Sequence, residues 1–205
     1  MPVLPKTMTK IIGITGGIAS GKSTITNYLR QKGYQVIDAD QVVHDLQANG
    51  GRLYQALVNW LGTAILNEAG ELNRPKLSQL IFSSPDNLAK SSQLQNAIIR
   101  QELETRRDQL AKTEAIFFMD IPLLIEQNYR DWFDEIWLIA VSPETQIKRL
   151  KQRNGYSQEE AQQRLASQMP LQAKKIYADQ IIDNNKTVEN TKMQVDSQLR
   201  RLQNE

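Results

Sequence analysis

The chain has 205 residues, with 25 Lys and Arg against 23 Asp and Glu, a single histidine and no cysteine. That length suits one α/β domain carrying insertions better than two ordinary domains, and a formal charge of +2 supplies no basic stripe for nucleic acid. The lack of thiols excludes disulfide scaffolds, thiolate metal sites and cysteine nucleophiles and fits a cytoplasmic protein, while the lone His44 removes Ser-His-Asp triads and multi-histidine metal centres.

Met1 to Lys10 contains Pro2 and Pro5 but no apolar stretch of the kind a secretory signal needs, and is expected to be a loose leader. Lys10 to Thr15 (KIIGIT) is a short apolar run ending in glycines, which predicts a buried strand of a parallel sheet. From Lys22 to Lys32 the residues Ile25, Tyr28 and Leu29 recur at helical spacing, and Gly33 supplies the stop. Further strands are predicted over Tyr34 to Asp38, Ala115 to Asp120, Glu135 to Val141 and Gln180 to Asp183. Strands alternating with helical segments predict a parallel sheet with helices on both faces. The longest apolar stretch, Ala115 to Ile125, is interrupted by Asp120 and Pro122 and falls short of the roughly 20 residues of a membrane span.

Residues 39–114 are far more than one crossover helix requires. Val42 to Leu61, Pro75 to Phe82 and Pro85 to Leu110 are predicted helical around Gly50-Gly51 and the turn Glu68 to Glu71, giving an inserted helical subdomain. His44 falls on the first of these runs and reads as a solvated helix residue. After the fourth strand, Ser142-Pro143-Glu144 opens a helix running to Arg153. Ser157 to Glu160 is a capping box opening another through Ser167. Val188 to Leu202 reads as a polar terminal helix. The expected organisation is a single domain over 8–205: a core of 8–41, 112–143 and 172–205, a helical substrate subdomain over 42–111 and a lid over 144–171.

Gly16 to Ser23 (GGIASGKS) fits G-x-x-x-x-G-K-[ST] between a predicted strand and a predicted helix, the setting of a phosphate-binding loop. Phosphate contacts are expected from Gly17, Ile18, Ala19, Ser20, Gly21, Lys22, Ser23 and Thr24, because the glycines let backbone amides turn inward and the helix adds its positive N-terminal end. Lys22 should reach the β- and γ-phosphates of ATP, and the Ser23 hydroxyl should ligate Mg²⁺. A glycine turn at a helix entrance explains the glycines but not Lys-Ser at this offset. A guanine switch is disfavoured, since Asn184-Asn-Lys-Thr187 lacks the aspartate of N-K-x-D.

Asp38 and Asp40 close the second strand pattern, where a carboxylate stands ready to take an acceptor hydroxyl's proton or to cap the following helix. We assign Asp38 as base and Asp40 as cap or supporting group. Asp120 ends its strand either as a Walker-B carboxylate holding Mg²⁺ through water or as a turn residue. Arg149 and Arg153 share a helix face and suit either transferring phosphoryl charge or a solvated surface.

With these residues placed, the chain resembles the dephospho-CoA kinase family from Ile11 to Asn185. The resemblance is carried by Ile14 to Ser23, Val36-Ile-Asp-Ala-Asp40, Gly70-Glu-Leu-Asn-Arg74, Pro122-Leu-Leu-Ile-Glu126, Gln146-Ile-Lys-Arg-Leu150 with Arg153, and Ala178 to Asn184. It implies the P-loop kinase fold: a five-stranded parallel sheet flanked by helices, a helical domain for the CoA precursor and an arginine-bearing lid. It further implies ATP as donor with Mg²⁺, Asp38 as base, Lys22 with Arg149 and Arg153 on the phosphoryl group, Asn184 near adenine, and Asp38, Asp40 and Arg74 toward dephospho-CoA. No nucleic acid, membrane or obligatory protein partner is implied. The chain departs from the family pattern in having Asn73 before Arg74, Asn96-Ala97 in the helical domain and Asn184-Asn185 on the adenine side. Another small-molecule P-loop kinase, acting on a nucleotide or sugar acid, and a non-catalytic ATP-binding module are the alternatives.

Overall fold

A computed structural model describes residues 9–204; residues 1–8, where most of the loose leader is expected, lie outside them. In chain order the elements are β1 (Lys10–Gly16), α1 (Lys22–Gln31), β2 (Val36–Asp38), α2 (Ala39–Gln47), α3 (Arg52–Leu61), α4 (Arg74–Ile81), α5 (Pro85–Leu110), β3 (Ile116–Asp120), β4 (Glu135–Ala140), α6 (Pro143–Asn154), α7 (Gln158–Ala166), α8 (Leu171–Lys175), β5 (Gln180–Asp183) and α9 (Val188–Asn204). Short 3₁₀ turns occupy Thr63–Ile65 and Arg130–Trp132.

The strands form one sheet in the order β2-β3-β1-β4-β5. β1 pairs in parallel with both β3 and β4, and β4 with β5. The chain thus leaves central β1 toward one edge and later returns to the other side, and a crevice at the C-terminal ends of strands where order reverses is where α/β sheets bind ligands. Ile12, Ile14, Phe118, Trp137, Ile139 and Ile182 from the strands pack against Ile25 and Leu29 of α1 and Val195, Leu199 and Leu202 of α9. Ile25 and Leu29, four apart, are fully buried because the helical period brings them to one face. The ring of Phe118 meets Tyr34 and Trp137 edge-on, with centroids 5.5 and 5.3 Å apart.

Two compact units emerge. One comprises the described residues up to Val36 together with those from Leu110 onward; the other is Ile37–Gln109. The second unit is built on the helices expected from the sequence, with Leu53, Leu57 and Ile65 fully buried. Its turn around Asn67 is closed by a bridge between Leu66 and Leu72, and the Tyr54 hydroxyl donates to Gly70 O at 2.7 Å. Asn73 caps α4 by accepting from Lys76 N at 3.1 Å, so the residue that departs from the family pattern serves as a good cap.

Four details differ from the sequence-based expectation. β2 begins at Val36, not Tyr34, since Gly33 and the end of α1 are tied by turn hydrogen bonds such as Tyr34 N to Leu29 O. The run from Val42 to Leu61 is two helices, parted at 48–51 around Gly50 at φ +80°. α2 starts at Ala39 rather than Val42, and that shift moves the capping task to Asp38. The short α8 was not foreseen, being too brief to show a period. Among the described residues no helix is long and apolar enough to cross a membrane.

Candidate active site: the phosphate loop and its supports

β1 delivers the chain to Gly16, and α1 begins at Lys22, so residues 17–21 turn between a buried strand and a helix N-terminus. Three successive carbonyls of the turn are taken by side chains distant in sequence. Gln146 Nε2 donates to Ile18 O at 2.7 Å. One terminal nitrogen of Arg149 donates to Ala19 O and Ser20 O at 3.2 and 3.1 Å, and the other to Asn184 O at 2.8 Å. Asn184 Nδ2 also donates to Ser20 O, at 2.7 Å. In a trans peptide the N–H points opposite its carbonyl. Drawing the carbonyls of Ile18 and Ser20 toward these donors therefore turns the N–H groups of Ala19 and Gly21 the other way. Among the described residues the amides of Ala19, Gly21, Lys22 and Ser23 have no protein acceptor. Together they form a concave array of donors at a helix N-terminus, suited to a polyphosphate.

Gly21 is obligatory here. Its φ is +87°, and a Cβ would collide with Asn184 Nδ2. Ala19 also sits at positive φ, +57°, a conformation that costs an L-residue of the order of 1 kcal/mol. The Lys22 ammonium makes no hydrogen bond or ion pair among the described residues, and Ser23 is exposed at the start of α1.

The supports extend beneath the loop. Thr15 Oγ1 donates to Pro122 O at 3.0 Å, and Lys174 Nζ approaches the same carbonyl at 3.4 Å. Lys174 is fully buried and pairs with Glu126 at 2.8 Å. This node fixes the segment that follows Asp120, itself only 7% exposed and in register with Ile14 of β1. Among the described residues no three carboxylate or imidazole groups gather as a metal centre. Mg²⁺ does not need one, because it favours one or two protein oxygens beside substrate phosphates and water. The hard oxygens of Ser23 and Asp120 have the right chemistry for that ion.

The structure brings Gly17 to Thr24, Arg149 and Asn184 together in one unit. At two of the expected residues the structure adds contacts that the sequence did not show. Arg149 is half-buried and donates to loop and Asn184 carbonyls through both terminal nitrogens. Asn184 is 5% exposed, with its Oδ1 accepting from Thr191 Oγ1 at 2.8 Å, so its amide braces the loop. Arg153, one turn further along α6, is exposed, and its Nε donates to Oδ1 of the neighbouring Asn154 at 2.9 Å. Asp38, Asp40 and Arg74 lie in the other unit. Asp38 Oδ1 accepts from Asp40 N and Gln41 N at 3.0 and 3.2 Å, so the cap assigned to Asp40 belongs to Asp38. Sequence reasoning missed as supports Gln146, Lys174 and Gln168, whose Oε1 accepts from Ile18 N at 2.8 Å. Gln146 stands inside the motif Gln146 to Leu150, which was the available signal; Lys174 is an ordinary-looking lysine on a short helix.

A family model described as dephospho-CoA kinase matches residues 10–190. A dephospho-CoA kinase of Streptococcus agalactiae serotype Ia is 63% identical over 195 residues, covering 95% of this chain and all of that one. The chain belongs to the dephospho-CoA kinase family. A crystal structure from Thermus thermophilus superposes with a TM-score of 0.77 at 30% identity, and a dephospho-CoA kinase from Campylobacter jejuni with 0.72 at 24%; each covers 95% of this chain and 98% of the other. In this chain the side chains that brace the loop carbonyls come from the two segments that carry the resemblance after β4, Gln146 to Leu150 and the run ending at Asn184.

Proposed function

We propose that the chain transfers the γ-phosphoryl group of ATP to the 3′-hydroxyl of dephospho-CoA, yielding CoA and ADP in the last step of CoA biosynthesis. The observation that carries this reading is the phosphate loop with three carbonyls tied outward and the amides of Ala19, Gly21, Lys22 and Ser23 without a protein acceptor among the described residues, in a chain matched over nearly its whole length by one kinase family.

In this reading the amides of Ala19, Gly21, Lys22 and Ser23 and the Lys22 ammonium hold the β- and γ-phosphates. Ser23, directly, and Asp120, through water, would hold Mg²⁺, which would supply neutralisation of phosphate charge. Arg149 and Asn184 keep the loop in its binding shape, and Arg153 meets the charge that spreads over the transferring group. Asp38 accepts the proton of the attacking hydroxyl. Its hydrogen bonds to the first amides of α2 fix the direction of the carboxylate, as a general base requires. Asp40 and Arg74 serve the acceptor. The domain reading follows: residues 42–111 hold the acceptor and 144–171 cover the nucleotide.

A coupled assay with ATP and Mg²⁺, offering dephospho-CoA, AMP and gluconate in parallel, tests the proposal. Turnover confined to dephospho-CoA is expected. Preferential turnover of either other acceptor would reassign the substrate, and no transfer to any would leave a nucleotide-binding module.

A further inference from the structure

We infer that Gln146 and Gln168 are positioning residues for phosphoryl transfer, clamping Ile18 from both sides and thereby preventing the outer arc of the phosphate loop from flipping. Gln146 Nε2 donates to Ile18 O at 2.7 Å, and Gln168 Oε1 accepts from Ile18 N at 2.8 Å. The two glutamines come from the first turn of α6 and from the segment after α7, 128 and 150 residues away from the group each binds. One residue of the loop is thus held at its carbonyl and at its amide by side chains from opposite ends of the α6–α7 segment.

The loop needs such a clamp because packing does not supply one. A cavity of about 550 Å³ opens beside it, bounded by Gly17, Gln146, Gln168, Leu165 and Met169. Ile18 itself is only half-buried. The next residue, Ala19, is held at φ +57°, a strained conformation that rotation of the Ile18–Ala19 peptide would relieve. That rotation would replace the inward N–H of Ala19 with a carbonyl oxygen facing phosphate, exchanging attraction for repulsion. The hydrogen bond from Gln146 opposes the flip directly, and the bond to Gln168 fixes the preceding peptide about which it would pivot. Gly17 completes the arrangement, since a Cβ there would come within 2.5 Å of Gln146 Nε2.

The inference rests on the proposed ATP chemistry but not on the identity of the acceptor. Gln146→Met, Gln168→Met and the double variant are compared with wild type by calorimetric titration with ATP, ADP and adenosine, alongside turnover and thermal melts. Each single change should weaken ATP and ADP by about tenfold, the loss expected for one oriented hydrogen bond, and leave adenosine affinity unchanged. The double variant should be less than additive, because both bonds hold one residue. Amide exchange of Ile18, read by NMR, should accelerate in Gln168→Met. Equal losses for adenosine and ATP would show a general structural role and overturn the inference, as would unchanged ATP affinity. If Gln168→Met melts below the assay temperature, Gln168→Asn, polar but one methylene shorter, answers the same question. Should wild type bind ATP yet fail to phosphorylate dephospho-CoA, the functional reading falls while the clamp is still judged by the nucleotide titrations.

Discussion

The role of Arg149 separates two physical pictures that predict opposite outcomes for one conservative substitution. If its charge acted on the phosphoryl group in flight, Arg149→Lys would keep most of the effect and would change kcat more than ATP affinity. The structure instead has its two terminal nitrogens holding three carbonyls, of Ala19, Ser20 and Asn184, at 2.8 to 3.2 Å. A lysine ammonium is a compact point charge on a flexible stem and does not span that set. With a charged donor contributing about 1.5–3 kcal/mol per hydrogen bond, losing two of the three amounts to about 3 kcal/mol at the low end. Spent on nucleotide binding, that is on the order of 100-fold in Kd. Arg149→Lys should therefore weaken ATP by about two orders of magnitude and Arg149→Met, which loses all three bonds, by about three, measured by calorimetry beside chemical denaturation to apportion any loss of stability. A lysine variant with wild-type ATP affinity and a reduced kcat would refute the bracing argument and restore Arg149 to the transferring phosphate.

Lys22→Ala should lower turnover by at least about 3 kcal/mol in the transition state with the fold intact, read from steady-state kinetics and melting temperature; near wild-type turnover would remove Lys22 from the chemistry. Asp38→Asn retains a capping oxygen for Asp40 N and Gln41 N but little basicity, so it should melt normally while kcat falls by roughly 10²- to 10⁴-fold; Asp40→Asn should be mild, and the reverse pattern would exchange their roles. Lys174→Met leaves Glu126 without its buried partner and should cost about 3 kcal/mol in urea denaturation, with Lys174→Met combined with Glu126→Leu recovering most of it; no recovery would show that the ion pair is not what fixes the segment. Burial raises the pKa of Asp196, but hydrogen bonds from Lys32 and Tyr28 and nearby positive charge outweigh it, so the carboxyl lies below its usual value. Its contribution is then present above the unfolded pKa of about 3.9 and lost as pH falls through the lower folded value. Asp196→Asn should flatten the acid limb of stability below about pH 4 and leave the stability near pH 9 to fall only by the loss of the pair itself; an unchanged acid limb would disprove the linkage.

What the sequence by itself determined is whatever local order encodes. Short apolar runs marked β1, β3, β4 and β5, the first of them ending in glycines; a 3.6-residue period marked α1 and the helical insertion; Ser157 and Glu160 announced the capping box that the structure contains. The loop motif and the short family segments located the chemistry, because phosphate binding by backbone amides demands fixed spacing along the chain. Only the tertiary structure decided who serves that loop. Gln146, Arg149, Gln168 and Asn184 reach it across 128 to 164 residues, and nothing local to a glutamine or arginine records which carbonyl it will meet. Those contacts follow from β4 lying beside β1 and β5 beside β4, which brings the starts of α6 and of the β5–α9 turn to the phosphate loop. The Asp38 cap was decided the same way, by α2 beginning three residues sooner than its apolar pattern, since a helix start is fixed by which side chain can satisfy its unpaired amides.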